Sequence, residues 1–381
     1  MRVLFVTRGY PTANYANYGV FEYDQAKALE RAGHEIIYAA IDLRSIRRWR
    51  KWGFEHFERD GIRIEAINIP LGRVPKIILD KVRSMALKTL YRKIVKRYGT
   101  PDLIHAHFIA SGDAAIQVFG DQGIPLVHTE HYSAMHKDKL DPYYLKMGNR
   151  TYRHMDRVIA VSRSLKESIL SHFNISSVVI PNIVDTQVFL RGEVNEKKDG
   201  PFFAFISVGR LIPLKRMDLL IRSFKQAFSD DPSVKLYIYG DGPERSRLGQ
   251  LIRSSSLENQ VFLMGFRSRE DIAKKMAECD AFVLASDSET FGVVFIEAMA
   301  AGLPVIATYC GGPEDFVDDR YGILVKSGDE SALTQAFREM RASHDRFNQI
   351  AISEEISARF NAEEIAAQIV DVYNAVTKNC L

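Results

Sequence analysis

The sequence predicts an α/β protein with two doubly wound domains, each a mostly parallel sheet covered by helices. Short β-branched runs alternate with segments of helical periodicity, a pattern typical of parallel sheets. The alternation stops at a charged segment near the middle of the chain and then starts again. The length of 381 residues exceeds the size at which single hydrophobic cores stop growing, so two domains are expected.

The first half carries the strands of the predicted N-terminal domain. Its first helix, predicted at Tyr23–Arg31, ends at Gly33, which suits a C-cap glycine. Further helical segments lie between the later strands. The predicted strands are Val3–Thr7, Glu35–Ala40, Ile62–Ile67, Leu103–His107, Leu126–His131, Arg157–Val161 and Val178–Ile180.

The second half repeats the alternation from Phe203 onwards. Helices are predicted at 217–229, 243–255, 269–278, 293–301 and 330–342, and a last helix at 362–378 that the residues alone assign to neither half. The predicted strands are Phe203–Val208, Val234–Tyr239, Val261–Met264, Ala281–Ala285, Pro304–Thr308 and Gly322–Val325.

The segment LRGEVNEKKDGP, residues 190–201, is the predicted linker, because it is charged and contains glycine and proline. We therefore expect an N-terminal domain over 1–190 and a C-terminal domain over 191–361. Open α/β sheets bind ligands beyond the carboxyl ends of their strands, so candidate residues were sought there.

Composition narrows the function classes only in part. The formal net charge of +3 indicates little by itself, and no recognition motif for nucleic acid accompanies the basic residues. The three cysteines are an odd number without zinc-site spacing, so we expect a reducing compartment and neither a disulfide framework nor a metal site. No apolar run approaches the ~20 residues of a spanning helix, and no signal-peptide pattern is evident. We expect a cytoplasmic protein, soluble or peripheral to a membrane.

The strongest candidate site is the segment Glu289–Glu297, whose two carboxylates follow a buried strand and enter an apolar helix. The amides at the start of this helix can receive a phosphate, assisted by the helix dipole. Glu289 can accept hydrogen bonds from sugar hydroxyls, and Glu297 can bind a ribose diol with its two oxygens. The spacing equally allows a helix-start carboxylate and a solvated glutamate without function.

A second candidate follows the first strand of the second half. Arg210 and Lys215 leave that strand on a loop before a helix. Two fixed cations suit a diphosphate leaving group, whose negative charge grows as a glycosidic bond breaks. Single surface cations usually have no such role, but two cations at one strand end favour a site.

Other strand-end residues are weaker candidates. Gly240 and Gly19 allow the backbone to approach a ligand closely, although an ordinary turn also explains Gly240. Phe266 could offer its ring to a base. The pair Gly311–Gly312 could donate amides to a pyrophosphate.

Several motifs of other enzyme classes are missing. Neither GxGxxG nor GxxxxGK[ST] occurs, which argues against dehydrogenases and P-loop proteins. His105 and His107 share one face of a predicted strand, but no third ligand is obvious, so we expect a core histidine at His105 and no metal. His131, at the carboxyl end of the next strand, is the better candidate for a site residue.

Taken in order, these segments resemble the large fourth family of retaining glycosyltransferases. The resemblance rests on PDLIHAHF, VIAVSRSLKE, VIPNIVDTQVF, GRLIPLKRMD, GDGPE and the Glu-x7-Glu element, and it extends over nearly the whole chain. The family includes phosphatidylinositol mannosyltransferases, mycothiol glycosyltransferase and many polysaccharide-building enzymes. The resemblance implies the GT-B fold, in which two Rossmann-like domains face each other across a cleft and a C-terminal helix, here 362–381, packs on the first domain.

The resemblance also implies a reaction. A hexose-type sugar would pass with retention from a UDP- or GDP-sugar to a glycan or lipid-linked sugar, without a metal or other cofactor. Arg210 and Lys215 would hold the diphosphate, Glu289 the sugar hydroxyls and Glu297 the ribose. The remaining implied contacts are the amides of Phe291, Gly292 and Val293 beside the sugar, Gly19 at the phosphates, His131 at the sugar and Phe266 near the base. The loop 14–19 carries one glycine where many relatives carry two.

Basic residues of the first half predict contact with an anionic membrane surface, although a solvated basic face fits equally well. With such a surface, a polyprenyl-linked sugar of cell-surface polysaccharide synthesis would suit as acceptor. One basic group surrounds the two tryptophans, and a second lies in a helical stretch: Arg44, Arg47, Arg48, Trp49, Arg50, Lys51 and Trp52, then Lys76, Lys81, Arg83, Lys88, Arg92, Lys93, Lys96 and Arg97.

Two other functions stay open. A GT-B sugar-nucleotide epimerase would keep a nucleotide site without needing a basic acceptor face. A non-catalytic nucleotide-sugar-binding protein would not need the full set of Arg210, Lys215, Glu289 and Glu297.

Overall fold

The structure is a computed structural model that describes residues 1–15, 18–45, 50–72, 74–137, 139–190 and 202–378. The chain divides into two compact units, Met1–Ile183 with Ala362–Leu381, and Val184–Asn361. The sequence placed the boundary at 190/191, whereas the structure assigns residues 184–190 to the second unit. The predicted linker, from 191 onwards, lies outside the described residues.

The first unit contains one eight-stranded sheet with strand order β3-β4-β2-β1-β5-β6-β7-β8. Every pairing is parallel except that of β3 with β4. The strands are β1 (Arg2–Thr7), β2 (Glu35–Ser45), β3 (Gly53–Arg59), β4 (Ile62–Leu71), β5 (Leu103–His107), β6 (Leu126–Glu130), β7 (Arg157–Ala160) and β8 (Val178–Val179).

The edge strand β3 was not predicted. Its residues alternate between half-buried and exposed, but the half-buried set includes Glu55 and Arg59 and the exposed set includes Phe54. Because polar and apolar residues do not separate between the two faces, the sequence carries no period-2 hydrophobic signal here.

Helices cover both faces of this sheet, and β1 shows how. Its alternate side chains enter two separate cores: Val3 and Phe5 pack with α1 and α12, whereas Leu4 and Val6 pack with α2 and α3. The helices of the first unit are α1 (Val20–Arg31), α2 (Lys76–Tyr98), α3 (Ile109–Phe119), α4 (Pro142–Tyr152), α5 (Arg163–Phe173) and, from the chain's end, α12 (Ala362–Lys378).

The second unit contains a six-stranded, fully parallel sheet, β11-β10-β9-β12-β13-β14. Its helices are α6 (Met217–Phe228), α7 (Arg245–Ser254), α8 (Arg269–Ala277), α9 (Val293–Ala300), α10 (Glu330–Ala342) and α11 (Gln349–Arg359), of which α11 was not predicted. The strands lie within one residue of their predicted bounds: β9 (Phe203–Val208), β10 (Val234–Tyr239), β11 (Val261–Gly265), β12 (Ala281–Leu284), β13 (Val305–Tyr309) and β14 (Gly322–Lys326).

Each sheet has a switch point where the strand order changes direction. In the first unit it lies at β1, between β2 and β5, and in the second at β9, between β10 and β12. Loops that leave the carboxyl ends of strands at such a point diverge to opposite faces and leave a crevice for a ligand. Gly19 follows β1, Arg210 and Lys215 follow β9, and Glu289 follows β12, so these candidates lie in such loops, whereas His131 and Phe266 follow the strands β6 and β11.

The C-terminal helix α12 completes the core of the first unit. Ile365, Ile369 and Tyr373 are fully buried against the sheet. The Tyr373 hydroxyl lies 2.6 Å from His105 Nδ1, and His105 Nε2 lies 2.7 Å from the Thr129 hydroxyl. Both ring nitrogens of His105 therefore have protein partners, as expected for a core histidine.

We predict that Tyr373→Phe lowers the free energy of unfolding by about 1–3 kcal/mol, because it leaves the buried His105 Nδ1 without a partner. Urea denaturation followed by circular dichroism measures the loss. Tyr309→Phe removes an exposed hydroxyl and should change the free energy by less than about 0.5 kcal/mol. Equal stability of Tyr373→Phe and the wild type would contradict the structural role of this bond.

Candidate functional site

Two adjacent strand ends of the second sheet bring an ammonium group and a carboxylate into contact. The loops after β9 and β12 carry Lys215 and Glu289, and Lys215 Nζ lies 2.5 Å from Glu289 Oε1. A backbone bond also joins these loops, because the Asp287 N–H donates to the Leu214 carbonyl at 2.9 Å. The structure thus unites one predicted cation with one predicted carboxylate.

Glu289 is held from several sides but keeps one oxygen open. The fully buried Ser286 hydroxyl donates to Glu289 Oε1 at 2.6 Å. The Glu289 N–H donates to the Cys310 carbonyl, and the Gly312 N–H donates to the Glu289 carbonyl, each at 2.9 Å. No hydrogen bond from the described part of the chain reaches Oε2, so this oxygen is available to a ligand hydroxyl.

Arg210 leaves the same strand end but contacts neither predicted carboxylate. Its side chain is exposed and forms no ion pair with any residue that the structure describes. Besides Lys215, the neighbouring Arg216 also forms an ion pair, with its Nη1 3.0 Å from Asp287 Oδ1. Arg210 therefore presents an uncompensated positive charge to solvent at the end of β9.

The start of α9 has no side-chain cap and no acidic residue near it in the helix. Gly292 is its N-cap residue. Phe291 is buried against Phe316 and Phe360, which fixes the turn before the helix. The amides of Gly292 and Val293 thus stand where the helix dipole favours negative charge.

Glu297 lies one turn inside α9 and has a partner that the sequence did not predict. Arg269, the first residue of α8, places Nη2 2.7 Å and Nε 2.9 Å from Glu297 Oε1. The expected ribose-binding carboxylate is therefore oriented by a guanidinium group. Its partner is thus a guanidinium group, whereas that of Glu289 is the Lys215 ammonium group.

Two predicted close-approach glycines are required by the chain's own backbone. Gly240 has φ 132°, and a Cβ there would lie 1.9 Å from the Gly209 carbonyl oxygen. Gly19 has φ 77°, and its Cβ would lie 2.4 Å from the Gly9 carbonyl oxygen. Gly240 thus lies where the loops after β9 and β10 meet, and Gly19 lies where the single loop after β1 packs on itself, so the close backbone approach explains both glycines.

Two further candidates differ in availability. Phe266, after β11, is 64% exposed and free to stack on a ligand. The amides of Gly311 and Gly312 are already engaged, by the Glu314 carboxylate and the Glu289 carbonyl respectively. The expectation that this glycine pair donates to a pyrophosphate is therefore wrong, because those donors bind the loop itself.

In the first unit, three neighbouring strand ends bring Arg8, Phe108 and His131 together. The Arg8 guanidinium carbon lies 3.7 Å from the Phe108 ring centroid, and that ring lies 4.8 Å from His131. Phe108 has φ 63°, a strained value for a residue with a side chain. Arg8 Nε also lies 3.1 Å from the fully buried Glu22. Burial raises the pKa of Glu22, and Arg8 opposes that rise.

Glu130 fixes the backbone that carries His131. Its Oε1 accepts the N–H groups of His131 and Tyr132 at 2.9 and 2.8 Å. Its Oε2 lies 3.1 Å from His128 Nε2 and 2.7 Å from the Tyr152 hydroxyl. Burial alone raises the pKa of Glu130, but these bonds outweigh it and hold the pKa below its usual range.

His131 is neutral at physiological pH. Burial lowers the pKa of His131 to about 3, against partial compensation by the Glu130 carboxylate. His131 Nε2 lies 3.3 Å from His107 Nδ1, and burial also lowers the pKa of His107 well below its ordinary value. A neutral imidazole can form a hydrogen bond with a substrate hydroxyl, but it contributes no positive charge.

The basic segments are exposed only in part. Arg50 was expected on the basic face, but it is 8% exposed, ion-paired with the buried Asp42 and positioned over the Tyr10 ring at 4.0 Å. A carboxylate buried at the end of β2 requires this counter-charge, so the expectation for Arg50 was wrong. Trp52 is 54% exposed, as expected. Residues 46–49 and the side chain of Arg44 lie outside the described set.

Several site residues were missed because their signals were weak. Arg8 and Ser286 each stand within two residues of a strand's carboxyl end, the position that was searched. Glu22 and Arg269 lie in helices, where charged residues are common. Glu130 sits beside His131 and could have been found as a carboxylate inside an apolar strand.

Two family profiles match the chain. Residues 19–188 match the family described as Glycosyltransferase Family 4, and residues 190–352 match the family described as Glycosyl transferases group 1. A GDP-mannose-dependent alpha-mannosyltransferase of Mycobacterium tuberculosis is 30% identical over 347 residues, covering 84% of this chain and 82% of that protein. The chain belongs to the group 1 glycosyltransferases.

Other group 1 glycosyltransferases match over different lengths. TuaC of Bacillus subtilis, named for teichuronic acid biosynthesis, is 27% identical over 409 residues, covering 99% of both proteins. The phosphatidylinositol N-acetylglucosaminyltransferase GPI3 subunit of Saccharomyces cerevisiae is 25% identical over 288 residues, or 72% of this chain. The chain spans 63% of the length of that yeast relative.

Solved structures of other proteins share the architecture. Sucrose-phosphate synthase of Thermosynechococcus elongatus superposes with a TM-score of 0.81 over 99% of both chains at 22% identity. Anabaena HepE in complex with UDP gives 0.75 over 98% of this chain and all of its own, also at 22% identity. These likenesses establish the fold, which is GT-B with two Rossmann-like α/β domains. Among the described helices, none has the length and apolarity to cross a bilayer.

We predict that stability falls as the pH drops below about 6.5, the ordinary histidine pKa. The pKa values of His105, His107 and His131 are lowered in the fold. As the pH falls, these histidines therefore bind protons in the unfolded chain but not in the native state. Each such histidine contributes a slope of about 1.4 kcal/mol per pH unit until its folded pKa is reached. Urea unfolding between pH 7.5 and 4.5 measures this slope.

A histidine variant isolates the contribution of one ring. His107→Gln should reduce the slope by about 1.4 kcal/mol per pH unit, whatever it does to stability at pH 7.5. His154→Gln, at an exposed histidine, should leave the slope unchanged. An unaltered slope in His107→Gln would show that His107 binds a proton in the fold over the same pH range as in the unfolded chain, against this prediction.

Proposed function

We propose that this chain is a retaining glycosyltransferase that moves a hexose-type sugar from a UDP- or GDP-sugar to a glycan or lipid-linked sugar. One observation carries the proposal: Lys215 and Ser286 hold Glu289 by one carboxylate oxygen and leave the other open, beside the uncapped start of α9. In a group 1 glycosyltransferase, this arrangement suits a sugar attached to a diphosphate.

The diphosphate would bind to positive groups of the second unit. Lys215 supplies an ammonium group, Arg210 an exposed guanidinium group, and α9 the amides of Gly292 and Val293. Negative charge develops on the leaving diphosphate as the glycosidic bond breaks, and fixed positive groups stabilise that state more than the ground state. We propose that these groups make a metal ion unnecessary.

Glu289 would bind the donor sugar rather than attack it. Its Oε1 already accepts from Lys215 and Ser286, and its open Oε2 can accept from a sugar hydroxyl. Retention without a carboxylate nucleophile requires attack by the acceptor on the face that the diphosphate leaves, with that diphosphate taking the acceptor's proton. Glu297, oriented by Arg269, would accept hydroxyls of the ribose.

In the first unit, His131 would form a hydrogen bond with a substrate hydroxyl. Because burial lowers the pKa of His131 to about 3, the ring stays neutral and can both donate and accept. Glu130 sets the backbone position of this ring and so acts as a positioning residue.

We predict that Lys215→Ala lowers kcat about 10²–10³-fold, because it removes a cation from the leaving diphosphate, at about 3–4 kcal/mol. Glu289→Ala should lose a similar amount through misplacement of the sugar. Transfer is measured by mass spectrometry after a thermal-shift screen of UDP- and GDP-sugars has identified the donor. A donor at ~100 times its dissociation constant adds about 2.7 kcal/mol of stability.

Asp287→Asn is the matched control, because it breaks the neighbouring surface ion pair with Arg216 without touching the proposed site. It should transfer at the wild-type rate. Wild-type turnover by Lys215→Ala would refute the site, and sugar-nucleotide epimerisation without any acceptor would refute transfer as the reaction.

We also propose that α2 binds an anionic membrane surface where a lipid-linked acceptor resides. Ile77, Lys81, Met85 and Lys88 lie at helical spacing on one exposed face, with Ile77 64% and Met85 71% exposed. Apolar side chains flanked by lysines suit the boundary between headgroups and acyl chains. Arg83 and Arg97 contribute less, because Asp80 and Glu65 pair with them.

We predict that the protein floats with vesicles containing phosphatidylserine and that Lys81→Glu/Lys88→Glu weakens this binding about thirtyfold or more. Each lysine near such a surface contributes about 1 kcal/mol. Lys225→Glu/Lys274→Glu makes the same charge change on exposed residues of the second unit and should float normally. Absence of flotation at physiological salt, or equal flotation of both variants, would remove the membrane proposal.

A further inference from the structure

The two edges of the first sheet differ in how readily another strand can pair with them. β8, at one edge, is only two residues long, and short edge strands are one way in which proteins avoid pairing between chains. β3, at the other edge, has seven residues that pair with β4 in one continuous register. Its sequence contains no proline, and its Phe54 ring is 43% exposed. The outer side of β3 is therefore suited to a further strand.

The charged side chains of β3 differ in whether the first unit compensates them. Glu55, on one face, accepts a hydrogen bond from the Tyr10 hydroxyl at 2.6 Å. Glu58, on the other face, is exposed and forms no ion pair among the described residues of the chain. Arg63 lies opposite Glu58 on β4, but it pairs with Glu35 instead. Glu58 thus presents an uncompensated negative charge at the edge of the sheet.

A matching positive charge lies near the other end of the same face of β3. Lys93 of α2 places Nζ 3.5 Å from the Phe54 ring centroid, and over the ranges that the structure describes it pairs with no carboxylate. Phe54 and Glu58 are an even number of residues apart, so both side chains lie on the α2 side of the strand. A cation at Phe54 and an anion at Glu58 would meet their opposites on an identical strand of reversed direction.

We infer that β3 is an interface through which two copies of this chain pair as antiparallel strands about a two-fold axis. Pairing of all seven residues, Gly53–Arg59, places His56 on the axis and Phe54 opposite Glu58 of the second copy. Opposite residues have Cβ atoms about 4.5–5.5 Å apart and point to the same side of the sheet. Lys93, which lies over Phe54, therefore stands beside that Glu58, and the symmetry repeats the ion pair.

This interface goes beyond the proposed function and does not depend on it. A second copy suits the edge better than an unrelated peptide, because β3 and α2 supply both members of the ion pair at symmetric positions. Since opposite residues point to the same side, the α2 helices of both copies lie on one side of the joined sheet. Their exposed lysines would then approach a membrane together.

Sedimentation velocity of the full chain through the micromolar range tests the interface. We expect the wild type to reach twice the 43.3 kDa mass of one chain. Glu58→Lys and Lys93→Glu should each weaken dimerisation about tenfold or more, because each places like charges at two symmetric positions. The double variant Glu58→Lys/Lys93→Glu restores opposite charges and should dimerise like the wild type. This rescue separates the interface from any effect of one substitution on folding.

Lys88→Glu is the matched control, because it makes the same charge change on α2. Lys88 is exposed and lies about 140° around the helix from Lys93. This variant should dimerise with the wild-type dissociation constant.

A cysteine on the axis tests the register. His56→Cys should form a disulfide-linked dimer on mild oxidation with a copper catalyst, because the axis places each Cα beside its own copy, within the range of a disulfide. Glu58→Cys should not, since Glu58 of the second copy lies four residues further along the strand, more than about 13 Å away. Non-reducing gel electrophoresis compares both variants with the wild type.

Three outcomes overturn the inference. The first is a wild type that keeps the mass of a single chain at every concentration, which leaves the edge to an unrelated segment. The second is a dimer that Glu58→Lys does not weaken, and the third is a disulfide-linked dimer of Glu58→Cys instead of His56→Cys. None of these measurements involves a nucleotide or a sugar, so failure of the proposed function leaves them unaffected.

Discussion

Parallel hydrogen bonding between neighbouring strands determines where the polar residues of both units meet. In the second sheet, the pairing of β9 with β12 aligns two strand ends that are far apart in sequence. Lys215 and Glu289, 74 positions apart, meet there, and the bonds among the loops after β9, β12 and β13 keep them in place. The Lys215 ammonium group and the Ser286 hydroxyl satisfy one oxygen of the Glu289 carboxylate, which burial would otherwise penalise.

The two units stabilise the polar and charged side chains at their strand ends in different ways. The second unit uses ion pairs that keep contact with water, as in Lys215–Glu289 and Arg269–Glu297. At the ends of β5 and β6, the first unit excludes water and keeps the imidazoles of His107 and His131 neutral, and hydrogen bonds hold the pKa of the neighbouring Glu130 carboxyl below its usual range. The ion pairs of the second unit suit an anion, and the neutral imidazoles of the first unit suit uncharged hydroxyl groups. The two units therefore have complementary chemistry.

The sequence predicted those features that depend on local pattern. Apolar runs located the strands of the second sheet within a residue, and the search of strand ends selected Lys215 and Glu289, which the fold brings into contact. Features that depend on partners distant in the chain were missed. The sequence assigned Arg50 to a basic surface because its neighbours in the chain are basic. Only the fold shows that Arg50 forms an ion pair with the buried Asp42.

The glycines illustrate the same limit of prediction from sequence. The sequence predicted that Gly19 and Gly240 let the backbone approach a ligand closely. The structure shows the carbonyls of Gly9 and Gly209 there. Similarly, β3 lacks an alternating hydrophobic pattern, and only its pairing with β4 reveals it as a strand.

The position of α12 has a consequence for how the protein is made. The first unit takes its core from both ends of the chain, whereas the second is continuous from Val184 to Asn361. The ribosome synthesises the chain from its N-terminus to its C-terminus. The second unit is therefore complete while the first unit still lacks its last helix. Until Ile365, Ile369 and Tyr373 emerge, the part of this sheet face that α12 covers beside α1 stays exposed in the nascent chain.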